Sequence, residues 1–546
     1  MQSTRGKILH LAIPVIILGF CSLVVLGSLI RPGYIFSYDG LYFYPRIVTK
    51  LAYLIPNQRY FLLLLETVSS ILPTWLIQRL IWFFSLWLGS AGFFFFFYRR
   101  GLTPGFLAGL FFIFNPFVYE RLVMGQTFII IGFGLYAWVL ITLRAYLERQ
   151  RSYYLLLAGF LAGFSVMLFP HSLIILISLA LIYLILRTPK EGYYRRLLFA
   201  FFTLVLVTLT LNAHWIFSSL GSENASLGKL SAGLADSDFN FYFTSDGPMD
   251  NIWINVLSLN GFWAERSDFF RHQLDSDLTR VTSAITALTL LASFVLLVFR
   301  RESKKFAYLL VCSVAAITIL AIGRAHPITS EITSLIYDYL PFYRGLREPQ
   351  KWVALLVLIY AFLFSYLAQS IMKTKLLWLK ITATISLATL IIINSNIMIG
   401  GFNRQLTVSD FPQSWYEADI LISKQNPEAK ILFLPFKFYL PFSFAGREII
   451  NPSLGFFTNF VYIGNDIEAG NTYYQYYDEE LQIIEKQVQL IQTGGCIDEN
   501  IFRKLKISHV FLTKEGQWHP YMSLGRCPNI ELVRDYSDAA LFYLKP

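Results

Sequence analysis

Ionisable residues are scarce in this chain, so the few that flank long apolar runs carry most of the chemical information. Five segments hold them. FSYDGLYFYPR, residues 36–46, sets one carboxylate, Asp39, among five aromatic residues and a glycine. Burial among rings favours the protonated form of a carboxylate, which suits a general base; the plainer reading is an Asp-Gly turn. NPFVYERLVMGQ, 115–126, carries Glu120 and Arg121 side by side. Adjacent helical residues do not face each other, so one is expected to point into the protein and the other toward lipid headgroups. His171 stands in a Phe-Pro-His-Ser turn. No HxxxH, HExxH or CxxC accompanies it, so no dedicated zinc site is expected. DGPMDNIWINVLSLNGFWAER, 246–266, reads as a helix ending at Gly261, with Trp263 an interfacial anchor before it is a sugar platform. YRGLREPQKW, 343–352, sets Arg344, Arg347 and Lys351 ahead of an apolar run that opens at Pro349. Arg forks, an ammonium and the positive end of a helix dipole make a phosphate site. Glu348 is a second acid there or the ion-pair partner of these cations. The plainer reading, a basic patch for lipid headgroups, uses the same phosphate chemistry with less specificity.

Elements of a particular kind must position these residues. The 546 residues are 55% hydrophobic and 15% charged, with mean hydropathy +0.52, which excludes an ordinary soluble domain. Apolar runs of the length that crosses ~30 Å of hydrocarbon recur to about residue 400. The expected spans are 8–30, 74–98, 105–120, 127–147, 153–169, 172–187, 197–216, 281–299, 307–323, 352–372 and 381–400. Short basic connections include RAYLERQR at 144–151, RTPKEGYYRR at 187–196 and RRESKK at 300–305, and they alternate with longer acidic or aromatic ones. By the positive-inside rule the basic set is cytoplasmic. Residues 61–72 are expected to form a membrane-surface helix rather than half of a span. Residues 153–187, basic at both flanks, must form a hairpin, turned by Pro170. The expected fold class is a polytopic α-helical membrane protein of about 11 transmembrane helices, with its N-terminus cytoplasmic and its C-terminus outside. Its outer loops are 31–73, 115–126, 217–280 and 324–351. Residues 1–400 hold 32 Lys/Arg against 18 Asp/Glu, and 401–546 hold 13 against 17. The basic excess is a topology signal, and no nucleic-acid partner is expected.

After about Gly400 the pattern changes. AKILFLPF at 429–436, ISHVFLT at 507–513 and the closing ALFYLKP read as strands. YYDEELQIIEKQVQLIQTGG, 476–495, reads as an amphipathic helix closed by Gly494-Gly495. Residues 401–546 are thus expected to form an extracytoplasmic α/β domain beside a membrane domain at 1–400. Cys21 and Cys312 fall in spans; Cys496 and Cys527 fall in the external domain, where a bridge between them is allowed. Asn224-Ala-Ser is a sequon in an outer loop.

There is no Walker loop and no dinucleotide fingerprint, and the cytoplasmic loops are too short to fold into a nucleotide site. A reaction at the outer face would therefore draw its energy from a lipid-borne donor. In layout, and in NPFVYERLVMGQ, LSLNGFW, YRGLREPQKW, ILFLPF, INPS and ISHVFL, the chain resembles the GT-C superfamily of membrane glycosyltransferases. It is similar in particular to multispanning proteins related to bacterial arabinofuranosyltransferases. The resemblance implies transfer of a sugar from a polyprenyl-phosphate donor to a glycan, lipid or protein acceptor at the extracytoplasmic face. It also implies an Asp or Glu of the first outer loop as catalytic base, here Asp39. That loop has one acid before Glu66, so Glu120 or Glu348 is left to supply a second. Arg344, Arg347 and Lys351 would hold the donor phosphate, and Tyr38, Tyr42, Arg121, His171 and Trp263 would line the substrate. No cofactor is required by this scheme, and a divalent cation is left open. The alternative is a lipid-linked-glycan transporter or flippase, or a cell-envelope assembly factor. A transporter would need charge through the bilayer centre, and the expected spans are nearly free of it.

Overall fold

The computed structural model describes residues 4–40, 56–186, 193–220, 242–267, 269–299, 304–340, 343, 348–464, 466–469, 472–475 and 479–545. Two compact units emerge. One comprises Met1–Ile30, Pro56–Gln58 and Leu80–Gln405; the other comprises Arg31–Ile55, Arg59–Arg79 and Leu406–Pro546.

Among the described residues, eight helices are long and apolar enough to cross a membrane: Leu11–Ile30, Thr74–Arg100, Leu102–Val123, Thr127–Arg149, Asp277–Phe299, Lys304–Ala325, Pro349–Met372 and Leu377–Asn394. Eleven were expected. The segments expected at 153–169, 172–187 and 197–216 are helical but are not among these eight: Ser152–Leu168 has 17 residues, Ser172–Leu186 has 15, and the third, Tyr193–Leu211, is apolar only over Leu198–Leu211. At ~1.5 Å per residue the first two reach only about 22–26 Å, short of the ~30 Å core. The turn between them falls at Phe169–His171, where Ser172 N–H bonds Phe169 O at 2.8 Å. A separate helix, Arg59–Ser69, precedes Thr74–Phe97, with Pro73 between them.

Local chemistry explains two features that position the site. Asn115 splits Leu102–Val123 into Leu102–Ile113 and Pro116–Val123. Its Nδ2 donates to Phe111 O and Phe112 O at 3.0 and 2.8 Å, closing the first helix, and its Oδ1 accepts Val118 N–H at 3.0 Å, opening the second. Pro349 opens a tight turn, Pro349–Trp352, that leads into Val353–Met372. Elsewhere in this unit the backbone at Gly27 (φ +48°) passes so close to Gly400 that a Cβ would lie 2.6 Å from the Gly400 Cα.

The second unit holds the described strands: β1 (Tyr34–Ile35), β2 (Val408–Ser409), β3 (Lys430–Leu434), β4 (Tyr439–Phe442), β5 (Arg447–Ile450), β6 (Phe460–Tyr462), β7 (Asp466–Ala469), β8 (Thr472–Gln475), β9 (Ile507–Thr513), β10 (Ile530–Asp535) and β11 (Ala539–Leu544). Five form a mixed sheet in the order β10-β11-β9-β3-β6. β3 runs parallel to β9 and β6, and β11 is antiparallel to β9 and β10. Strand periodicity sends Ile431, Phe433, Phe511 and Leu541 to one core with Trp415 and Ile422, and Leu432, Leu434, Val510 and Phe542 to another with Ile484 and Val488. The helices Gln413–Gln425 and Glu479–Gln492 therefore cover opposite faces. Gly494 N–H and Gly495 N–H bond Ile491 O and Leu490 O just past the second helix. Cys496 and Cys527 are joined by a disulfide, with Cα atoms 5.5 Å apart. β1 pairs antiparallel with β2, and Tyr34 and Phe36 enter the Trp415 core.

Candidate functional site

The charged residues of the first unit meet in one buried network. Glu120 and Arg121 both lie on Pro116–Val123, all eight residues of which are buried. The expectation that one of the two faces headgroups is therefore corrected: protein covers this short helix on every side, so both side chains are enclosed. Arg121 Nη1 donates to Glu348 Oε2 at 2.8 Å and to Gln126 Oε1 at 2.9 Å, and Nη2 donates to Gln350 Oε1. Its guanidinium lies 3.9 Å from the centroid of the Phe262 ring. Glu348 Oε1 sits 3.2 Å from Lys351 Nζ. Lys351 Nζ in turn lies 3.4 Å from His171 Nδ1 and over the Phe169 ring at 5.4 Å. Gln350 Nε2 reaches back to Glu120 Oε2 at 3.2 Å. Two cations thus converge on one carboxylate. Burial alone would raise the Glu348 pKa, but Lys351, Arg121 and His171 outweigh it and hold it at about 2.

A second carboxylate cluster adjoins Glu120. Glu265 Oε1 accepts the N–H groups of Gly261 and Phe262 at 2.6 and 3.2 Å, and Oε2 accepts Asn255 Nδ2 at 2.8 Å. His272 Nε2 is 3.3 Å from Glu265 Oε2. Burial raises the Glu265 pKa, but His272, the neighbouring Glu120 carboxyl and the Gly261 N–H bring it down to about 2. Glu120, Glu265 and His272 each place one potential ligand atom within 4.8 Å of the others, the one such group among the described residues.

Asp39 stands in the second unit with different partners. It lies in a turn closed by Gly40 N–H to Ser37 O at 3.0 Å, as the plainer reading has it. Its half-buried carboxylate also accepts Tyr439 OH at 3.0 Å, and the Tyr439 ring stacks on Tyr38 at 4.2 Å. Ile450 N–H bonds Tyr38 O at 2.9 Å, which ties the turn to β5. Trp263 is buried, packed edge-on against Tyr242 at 5.5 Å, and so is not an anchor at a membrane surface. Arg344, Arg347, Tyr42 and the Asn224 sequon lie outside the described residues. Sequence reasoning singled out Glu120, Arg121, His171, Glu348 and Lys351 but missed Gln350, Gln126, Glu265 and His272. Gln350 and Glu265 lie inside quoted segments; an acid after an aromatic pair was the available signal for Glu265, and Gln350 offered none.

Eight membrane-length helices, a mixed-sheet unit and a buried ion-pair network define a multispanning membrane protein with a built polar site. Its fold is similar to that of solved structures of an arabinofuranosyltransferase. A cryo-EM structure of the arabinofuranosyltransferase AftD from Mycobacteria matches with TM-score 0.63 at 13% identity, covering 98% of this chain and 40% of that chain. A structure of a variant of the same enzyme matches with TM-score 0.62 at 13% identity, covering 98% and 41%. The chain thus spans about two fifths of the length of the enzyme it resembles. No family model and no curated protein matches the sequence.

Proposed function

We propose that this protein is a membrane glycosyltransferase of the GT-C type, taking a sugar from a polyprenyl-phosphate donor at the extracytoplasmic face. The observation that carries the reading is the convergence of buried Arg121 and Lys351 on the single carboxylate Glu348. Two cations against one anion leave a site that favours a second anion, and a lipid phosphate at membrane depth is the anion a glycosyl donor presents. Lys351, with Arg344 and Arg347, holds that phosphate as the leaving group. Glu348 holds Arg121 and Lys351 in place. Asp39 takes the proton from the acceptor hydroxyl, and Tyr38 and Tyr42 line the sugar. Glu348 is the reserve carboxylate for that step. In this reading the three shorter apolar helices join the eight as the eleven spans that the basic connections require. The N-terminus is then cytoplasmic and residues 401–546 face outward to receive a glycan, lipid or protein acceptor. The name of the similar enzyme puts an arabinofuranosyl donor first among those to try.

The test is transfer of labelled sugar from a panel of polyprenyl-phosphate sugars, comparing wild type with Asp39→Asn after matching their thermal melts. Loss of a general base lowers the rate about 10²–10⁴-fold. Transfer by wild type with a loss of that size supports the scheme. Equal transfer by both moves the base to Glu348. No transfer by either across the panel favours a transport or assembly role.

A further inference from the structure

The residue types in Glu120, Glu265 and His272 would suit a divalent transition ion, since two carboxylates and an imidazole are common donors to zinc or manganese. Their hydrogen bonds do not. A carboxylate offers about four lone-pair directions over its two oxygens. At Glu265 three are taken, by the Gly261 and Phe262 N–H groups at one oxygen and the Asn255 amide at the other, and His272 Nε2 lies 3.3 Å from that second oxygen. The imidazole is turned the wrong way as well. His272 Nδ1 accepts Leu274 N–H at 3.0 Å, in a capping box whose other half runs from His272 N–H to Asp275 Oδ2 at 3.1 Å. With Nδ1 used as an acceptor, the proton of the neutral ring sits on Nε2, the atom that faces Glu265. A metal-bound histidine does the reverse, giving its lone pair to the metal and donating through its other nitrogen.

What remains is Glu120. It is 1% exposed, and no N–H or O–H group is directed at its Oε1. The Glu265 carboxyl is its neighbour: an oxygen of each lies within 4.8 Å of the other. Two carboxylates buried this close together do not both stay charged, so one of the pair takes a proton.

We infer that the Glu120–Glu265–His272 cluster holds one proton on its carboxyl pair and is not a metal centre. The Gly261 and Phe262 N–H groups and the Asn255 amide already donate to Glu265, so that proton resides on Glu120. The cluster thereby places a neutral carboxyl beside Gln350, whose amide bonds both Glu120 and Arg121. Glu120 and His272 act as positioning residues: they hold Gln350 and the 255–265 segment against Arg121 without adding negative charge. The positive excess of Arg121 and Lys351 over Glu348 is preserved as a result.

The test uses the purified full chain and needs no transfer activity, so it stands apart from the glycosyltransferase reading. An infrared difference spectrum on hydrogen–deuterium exchange at pH 7 reports the C=O stretch of a buried protonated carboxyl. The expected result is such a band in wild type, absent in Glu120→Gln, with the melting temperature of that variant unchanged because the amide reproduces the neutral acid. Glu120→Ala, which removes the bridge, is expected to melt lower. In parallel, chelator-treated wild type is melted with and without about 1 mM zinc or manganese. A site of micromolar Kd would raise the melting temperature by several degrees, and no rise is expected. A wild-type spectrum without the band, or a band that Glu120→Gln leaves in place, overturns the inference. So does a metal-induced rise in wild type. Both wild-type measurements stand even if no Glu120 variant folds.

Discussion

Glu348 shows how a single side chain can set the balance of a buried site. Its carboxylate faces two cations, and removing it leaves Arg121 and Lys351 without their shared counter-charge. Breaking such a pair costs about 3–5 kcal/mol. Glu348→Gln is therefore expected to lower the melting temperature markedly at pH 7. The sign of its pH dependence follows from a folded pKa of about 2 against an ordinary carboxylate value of about 4.3. Its stabilisation is present above the ordinary value and is lost as pH falls toward the folded one. Melts of wild type and Glu348→Gln should converge between about pH 4.5 and 2; a gap independent of pH in that window would sink the assignment. At this scale the sequence exposed the charged residues one by one, because charge beside apolar runs is conspicuous. It did not expose Gln350, since a neutral amide gives no compositional signal. Nor did it expose the link from Glu120 to Glu265 and His272, which depends on how a turn near residue 260 packs against a helix near 120.

The elements were legible wherever punctuation was strong. Asn115-Pro116, Pro170 and Gly494-Gly495 each mark a real boundary, because each changes which backbone groups can bond. Span length was less legible. Hydropathy and charge parity called for spans at 153–169, 172–187 and 197–216; the first two helices match those bounds to within a residue yet, at 17 and 15 residues, are shorter than the hydrocarbon core requires. Close approaches of backbone were not visible at all, and Gly27 is the sharpest case. Its positive φ alone costs an alanine about 1–3 kcal/mol. A Cβ there would also press on Gly400, main chain against main chain. Gly446 offers the control, with φ +65° and nothing within 4 Å of a built Cβ. Gly27→Ala should lower the melting temperature well beyond Gly446→Ala; equal losses would show that the close approach is readily relaxed.

For the whole molecule, composition and periodicity were enough to separate a helical membrane part from a mixed-sheet part. They were not enough to show that residues near 34–38 fold with residues after 405. Two short strands far apart in sequence carry no mutual signature. Orientation rests on the basic connections and can be checked directly. In a background with Cys21 and Cys312 replaced by serine, single cysteines at Arg149 and Lys545, both exposed, should behave oppositely. A membrane-impermeant maleimide applied to intact cells is expected to label Lys545→Cys and spare Arg149→Cys. The reverse pattern would invert the topology.

The pairing of β1 with β2 also sets a clock. Tyr34 meets Ser409, which is made about 375 residues later. At roughly 5–20 residues per second, synthesis takes about 20–75 s to cover that distance. Throughout that interval the segment leading to Asp39 has no partner strand, and the aromatic core that Tyr34 and Phe36 enter does not yet exist. Truncation after Asn394 but before residue 408 would leave these helices made but the Asp39 turn without its partner strand. Assembly at that turn therefore reports that the eight membrane-length helices among the described residues have already been synthesised.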